Sequence, residues 1–193
     1  LGSGFIITDA GINSTFDLQA GATLKFGGSI ASSGASGNIR TDIRTFPTTA
    51  SYGFTGSVTP QSVGSGLPVS MVNMYIDKDL VTNRVLIAQN TVVTGNISLY
   101  LGKLDLNNFN LELGTTSVNG TVSNASVNSY VITWDGSSNG NLIHHVNNNS
   151  SYIFPVGDLS DYSPATVEMT GGSYTNAILS VSVKDAAHPN LGT

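Results

Sequence analysis

Cysteine is absent from this 193-residue chain, and charged residues make up only 10% of it. The first absence removes disulfide staples, thiolate metal sites and thiol nucleophiles together. The second lies well below the roughly 25% typical of soluble proteins, and it disfavours helices, whose exposed faces are usually covered by Lys, Glu and Arg. Seven basic residues against twelve acidic ones give a net charge of −5. With no basic stripe, nucleic acid is excluded as a partner. No apolar run approaches the roughly 18 residues of a spanning helix, so no membrane span is expected. Leu1 opens the chain without an initiator Met or a signal peptide, and a mature product or an excised piece is expected. Low charge without cysteine favours an extracellular or cell-surface location.

What the chain has instead is short neutral polar side chains: 25 Ser, 20 Thr and 19 Asn, with 22 Gly beside them. Thr favours strands, while Asn, Gly and Ser favour turns. The 39% of hydrophobic residues fall in short alternating runs, enough to build a core. The expectation is an all-β protein with many turns.

The strongest pattern lies between Val92 and Gly114. Ile97, Leu99 and Leu101, then Leu104 and Leu106, then Phe109, Leu111 and Leu113 alternate with Ser98, Asp105, Asn110 and Glu112. Period two marks strands with one buried face, and it places Asp105 outward. The phase slips at Gly102-Lys103 and again at Asn107-Asn108. Corners that short, keeping the same side inward, do not suit hairpins, which reverse the chain. They suit the sides of a coiled rung, so a parallel β-helix (β-solenoid) is predicted for residues 1–116. Phe16-x-Leu18-x-x-Gly21-x-x-Leu24-x-Phe26 reads as an earlier copy of Ile97-x-Leu99-x-x-Gly102-x-Leu104-x-Leu106. Residues 69–94 hold the longest stretch free of Gly and Pro and the only place where a helix could fit, but Val72, Met74 and Ile76 alternate with Asn73, Tyr75 and Asp77 and favour a strand.

After about Thr116 the strands lengthen and turn clusters separate them, as in Ser129 to Trp134, Leu142 to Val146, Tyr152 to Val156, Thr166 to Met169 and Ala177 to Val183. This spacing predicts an antiparallel β-sandwich-like module over 117–193, truncated at its end, with a soft boundary near Ser117.

Several strings resemble a known group of proteins. Gly37-Asn38-Ile39-Arg40-Thr41-Asp42-Ile43-Arg44-Thr45-Phe46, Ala50 to Gly56, Gly64 to Pro68 and Gly102 to Leu106 are similar to the repeats of large secreted surface proteins of Bacteroidota. Gly140 to Ile143, Ser151 to Asp158 and Tyr162 to Pro164 are similar to the module that follows those repeats. The resemblance runs from about Gly21 to Leu191, and its motifs are structural. It implies export by the type IX secretion route, attachment to or release from the cell surface, and a role in adhesion, gliding or matrix. Those proteins end in a sorting domain that this chain lacks, so a fragment of a longer protein is expected.

Candidate chemistry is sparse. His144 and His145 are adjacent on a predicted strand, so they point to opposite faces and cannot share a metal; one exposed and one packed histidine is the expectation. His188 reads as a turn residue. Asp158 with Asp161, and Asp77 with Asp79, offer two carboxylates each, fewer oxygens than calcium takes, and Asx turns account for them more simply. Arg40 and Arg44 share a strand face near Lys25, the only hint of a site for acidic polysaccharide. Tyr52, Tyr100, Trp134 and Tyr162 are read as exposed aromatics, with Trp134 and Tyr162 as the glycan contacts of choice. Phe5, Ile6 and Ile7 lie in an apolar, uncharged, strand-like segment that forms an assembly edge.

The expectation is therefore an extracellular structural or adhesive segment, not an enzyme, without cofactor or metal. Its partners are other chains or further rungs at the solenoid edge, with secretion machinery and glycans as further classes. A carbohydrate-binding accessory module of a larger secreted enzyme is the alternative, and a polysaccharide lyase-like β-helix comes third.

Overall fold

The computed structural model describes residues 1–2, 6–8, 13–28, 37–174 and 176–185. Nineteen strands and no helix are found among them. Fifteen of the strands form three five-stranded sheets, and successive strands of each sheet are one turn of the chain apart. The first face stacks β2 (Thr23–Phe26), β4 (Ser51–Gly56), β7 (Asn73–Lys78), β10 (Asn96–Leu101) and β13 (Thr121–Ser123). The second stacks β5 (Gln61–Ser62), β8 (Arg84–Leu86), β11 (Lys103–Asp105), β14 (Val131–Trp134) and β17 (Val156–Asp158). The third stacks β6 (Ser70–Met71), β9 (Thr91–Val93), β12 (Leu111–Leu113), β15 (Leu142–Val146) and β19 (Ala177–Val181). Every pairing within these stacks is parallel except β15 with β19. The expected parallel β-solenoid is present, with three sides.

The corners fall where the alternation slips phase. Gly56, Gly102 and Asn124 end strands of the first face, and Gly64 and Asn107 follow strands of the second; all five have positive φ. That left-handed backbone is open to Gly and tolerated by Asn, so a sharp turn forms without a hairpin. The inward positions stack into one core. Phe26, Phe54, Ile76 and Leu99 line the first face, Val85, Leu104, Val131 and Val156 the second, and Val93, Leu111, Leu113 and Leu142 the third, all nearly or fully inaccessible to solvent.

Two expectations about register are corrected. Leu24 and Phe26 pair with Tyr52 and Phe54, which pair with Met74 and Ile76, which pair with Ile97 and Leu99. The true counterpart of Ile97 and Leu99 is thus Leu24 and Phe26, not Phe16 and Leu18. Phe16 lies on β1 (Thr15–Asp17), which pairs in parallel with β3 (Ile43–Thr45) in a separate small sheet. Asp105 does face outward in phase, yet it is only 1% exposed, because the Arg84 guanidinium from the rung before covers it at 2.7 Å.

Of the sandwich-like module expected from Ser117 onward, the structure has two antiparallel pairs: β15 with β19, and β16 (Ser151–Phe154) with β18 (Ala165–Glu168). The other strands of that segment continue the coil, with Thr121, Val131 and Leu142 in register with Asn96, Leu104 and Leu111. In β14 the outward Ile132 is buried as fully as the inward Val131, and strands covered on both faces carry near-continuous apolar runs.

The inward phase of β10 is open to test. Leu99→Ala should cost about 2–5 kcal/mol in urea unfolding. Tyr100→Ala, next to it and 53% exposed, should stay within about 0.5 kcal/mol. Equal losses at the two neighbours would be incompatible with the alternation.

Candidate functional site

The residues singled out from sequence are spread over the coil. Trp134, at the end of β14, borders a cleft of about 150 Å³ with Asp158, Leu159, Ser160 and Asp185, and the Lys184 ammonium lies 4.9 Å from its ring centre. Tyr162 does not join it there; it packs on Tyr130 with ring centres 5.4 Å apart. Tyr52 is wholly buried and donates from its hydroxyl to the Pro47 carbonyl, a correction to its reading as an exposed aromatic. Tyr100 is exposed as expected. The Asp158 carboxylate accepts the backbone N–H groups of Ser160 and Asp161 at 2.7 and 2.8 Å, an Asx-type cap. No grouping of three or more potential metal-ligating His, Asp or Glu side chains occurs among the described residues.

Arg40 and Arg44 do not converge on an anion site. Arg40 donates to Gly37 O, and Arg44 donates to Ile39 O, while Lys25 sits 5.9 Å from the Tyr75 ring centre. At the amino-terminal edge, Ile7 forms a parallel bridge with Ile39: its N–H donates to Asn38 O and its carbonyl accepts from Arg40 N–H. Ile6 beside it is 41% exposed. Phe5 and His188 lie outside the described residues.

The least expected chemistry is inside the corner between the first and second faces. Lys78 is 2% exposed, and its Nζ donates to Thr55 O at 2.8 Å and to Gln61 Oε1 at 2.6 Å. Gln61, fully buried, passes the chain on by donating from Nε2 to Phe26 O. Among the described residues no carboxylate forms an ion pair with the ammonium; burial pulls its pKa down to about 8, against the weaker attraction of Asp79. Space for the stem comes from a glycine: a Cβ on Gly102 would lie 2.8 Å from Lys78 Cβ and Cγ, and its φ of +85° disfavours side chains anyway. The alternation already contains this signal, because Lys78 shares the phase of Met74 and Ile76. A charge at an inward phase is a flag that hydrophobic pattern alone overlooks.

The two histidines occupy opposite faces of β15, as expected, but both are 8% exposed. His145 meets the Glu112 carboxylate through Nε2. His144 points inward against Tyr152 and Phe154. Its Nδ1 lies 2.6 Å from His145 O and its Nε2 3.0 Å from Gly120 O. A carbonyl only accepts, so a neutral ring satisfies one contact and a doubly protonated ring satisfies both. Burial holds its pKa below the ordinary histidine value, and the two carbonyls push back. His144 forms the floor of a cleft of about 290 Å³ between β13 and β16, bordered by Gly120, Val122, Ser151 and Ile153.

Comparison with protein-family models, curated proteins and solved structures gives no match to this chain. Chemically, the buried polar corner offers an ammonium enclosed by amides, the Trp134 cleft sets one aromatic ring beside the Asp158 and Asp185 carboxylates, and the larger cleft offers an uncharged hydrogen-bonding surface with the rings of His144 and Tyr152.

Stability should follow the buried groups. An unfolded Lys78 keeps its proton up to its ordinary 10.5, so the folded state is penalised at neutral pH, and that penalty fades as pH rises through about 8. Tyr52 and Tyr130, pushed up to about 12 mainly by burial, favour the folded state until the unfolded phenols ionise near 10. The thermal midpoint should therefore climb from about pH 8 to 10 and fall beyond it. Lys78→Met should remove most of the climb, leaving the part due to Lys103, whose pKa burial also lowers, and keep the fall. A flat wild-type profile between those values would contradict the buried ammonium.

Proposed function

We propose that this chain is an extracellular structural or adhesive segment, a solenoid scaffold exported by a type IX-like route that joins further rungs or other chains at its edges and catalyses no reaction. The observation that carries the reading is a ladder of uncharged side chains along the outside of the first face. Asn73 Nδ2 donates to Ser51 Oγ at 3.0 Å, and Asn73 Oδ1 accepts from Asn96 N–H at 3.0 Å. Asn96 Nδ2 then donates to Ser123 Oγ at 3.0 Å, while Asn96 Oδ1 accepts the Thr121 hydroxyl at 2.7 Å. Such a ladder ties each turn to the next on the solvent side, and it presents a hydrated surface without a charge that would repel a neighbouring copy. In stacked repeats each unit contacts only its neighbours, so length is gained by adding rungs. The apolar stretch around Ile6 and Ile7 supplies the joining edge.

A second reading, a carbohydrate-binding accessory module, is favoured by one observation. Trp134 shares its cleft with Asp158, Ser160 and Asp185, an aromatic face beside hydrogen-bonding groups of the kind that holds a sugar ring.

Sedimentation velocity separates the two. The scaffold reading expects association that grows with concentration and is relieved by a charged segment fused before Leu1. A strictly monomeric chain, with fast amide exchange at Ile6 to Thr8, would overturn it. Binding on a glycan array that disappears with Trp134→Ala would establish the accessory module in its place.

A further inference from the structure

The three stacks do not end alike on the carboxyl-terminal side. On the second face, β17 is closed by the chain's own loop: Ser163 N–H donates to Val156 O, Asp158 N–H donates to Asp161 O, and Gly157 bridges Tyr162. On the third face, β15 is closed by antiparallel β19 along five residue pairs. On the first face, β13 pairs with β10 on one side and, among the described residues, has no strand on the other. Beyond it lies the 290 Å³ cleft, and across the cleft lies β16, whose partner in the structure is β18.

Both walls of that cleft present unused backbone. In a parallel ladder alternate residues bond to the same neighbour. Thr121 N–H donates to Gly95 O, so the N–H and C=O of Val122 face away from β10, toward the cleft. In an antiparallel pair the residues that exchange bonds also alternate. Met169 N–H donates to Ser150 O and Tyr152 stands opposite Val167, so the backbone groups of Ser151 and Ile153 face away from β18, again toward the cleft. The bordering side chains of Val122, Ser151 and Ile153 are neutral.

From this juxtaposition we infer that the cleft between β13 and β16 is a docking slot for one extended peptide strand of a partner protein. The strand runs along Val122 as the next member of the first face, with backbone hydrogen bonds to β13 and, on its far edge, to β16. Backbone is the ligand that two facing edges select, since each wall offers donors and acceptors in alternation, as in β-strand addition elsewhere. The slot's volume is just below the range of about 300–1,000 Å³ usual for small-molecule sites. It suits the central residues of a strand, which enters and leaves through the open sides. Register follows from the ladder on the outer side. The strands of this face read Ser-Tyr-Gly-Phe, Asn-Met-Tyr-Ile and Asn-Ile-Ser-Leu at Ser51–Phe54, 73–76 and 96–99. The docked strand accordingly carries Asn, Ser or Thr over Thr121 and an apolar residue over Val122. This inference is independent of the scaffold reading: a monomeric chain that fails to associate still has the slot.

The test uses the full chain and a synthetic peptide with the sequence of Asn96–Leu101, capped at both ends and flanked by lysines for solubility. In a ¹H–¹⁵N titration, the amides of Val122, Ser151 and Ile153 should shift together, and their hydrogen exchange should slow by about tenfold or more at saturation, the protection expected of one added hydrogen bond. Methylating the peptide nitrogens that face β13 should weaken binding by at least about tenfold. Val122→Pro removes the cleft-facing N–H at a position where an edge strand accepts proline; it should keep the thermal midpoint close to wild type and lose the peptide. If Val122→Pro unfolds the chain, the N-methylated peptide still decides. No shift at these amides, or equal binding of the methylated peptide, would overturn the slot. So would cellohexaose producing the shifts when the peptide does not, which would assign the cleft to sugars.

Discussion

The parallel backbone ladder between one turn of the chain and the next is the interaction on which the rest of this structure depends. Each turn has three short strands, and none of them buries a useful surface by itself. Stacked in register, the turns share their hydrogen bonds along the axis and line up inward side chains of similar size, so that Phe26 lies 6.1 Å from Phe54 in a nearly parallel stack. The same register places Asn73, Asn96 and Thr121 where their amides and hydroxyls can bond from turn to turn. Core and surface are thus both consequences of one repeated spacing.

That spacing tolerates departures at the corners. The ladder contacts of the first face join residues 22, 23, 25 and 27 positions apart, and the differences are taken up in the corners between the faces. At the corner near Lys78 the coil encloses an ammonium with amide and carbonyl partners, and the attraction of Asp79 offsets only part of its burial. Hydrogen bonding alone repays only part of the desolvation of a charge. The second corner charge, Asp105, is handled differently: burial raises its pKa, while the Asn107 N–H and Arg84 oppose that. An inward lysine with neutral acceptors and an outward aspartate with a guanidinium lid are two solutions to the same problem of polar groups at a tight bend.

Ends are the weak points of any stacked sheet, because the last strand exposes its unpaired groups. Here the second and third faces are finished by segments that fold back, and both antiparallel pairs of the molecule serve the carboxyl-terminal end. These pairs are what the turn-rich sequence after Ser117 encodes, in a segment that otherwise continues the coil. The first face ends at a cleft floored by His144, whose Nε2 lies 3.0 Å from Gly120 O just before β13. The proposed strand slot lies at this one edge that the chain does not finish with a strand or loop of its own among the described residues.

Legible in the residues alone were the β character, the inward phase of Ile97, Leu99, Leu104, Leu106, Leu111 and Leu113, the corners at Gly102 and Asn107, and the opposite faces of His144 and His145. All of these depend on side-chain alternation and on turn residues a few positions apart. Leu101, expected inward with them, is shifted by an irregularity in β10 that aligns it with Asp77. The packing of turn on turn set which of them stand beside each other: that Leu24 aligns with Ile97 and not Leu104, that β13, β14 and β15 extend the coil, that Asp105 is covered and Tyr52 buried. It alone brought Gln61 under Lys78 and set β13 across from β16. The physical reason is that period two fixes which way a side chain points. Its neighbour in the next turn is set by corner lengths that vary from turn to turn, and by hydrogen bonds between residues more than twenty positions apart.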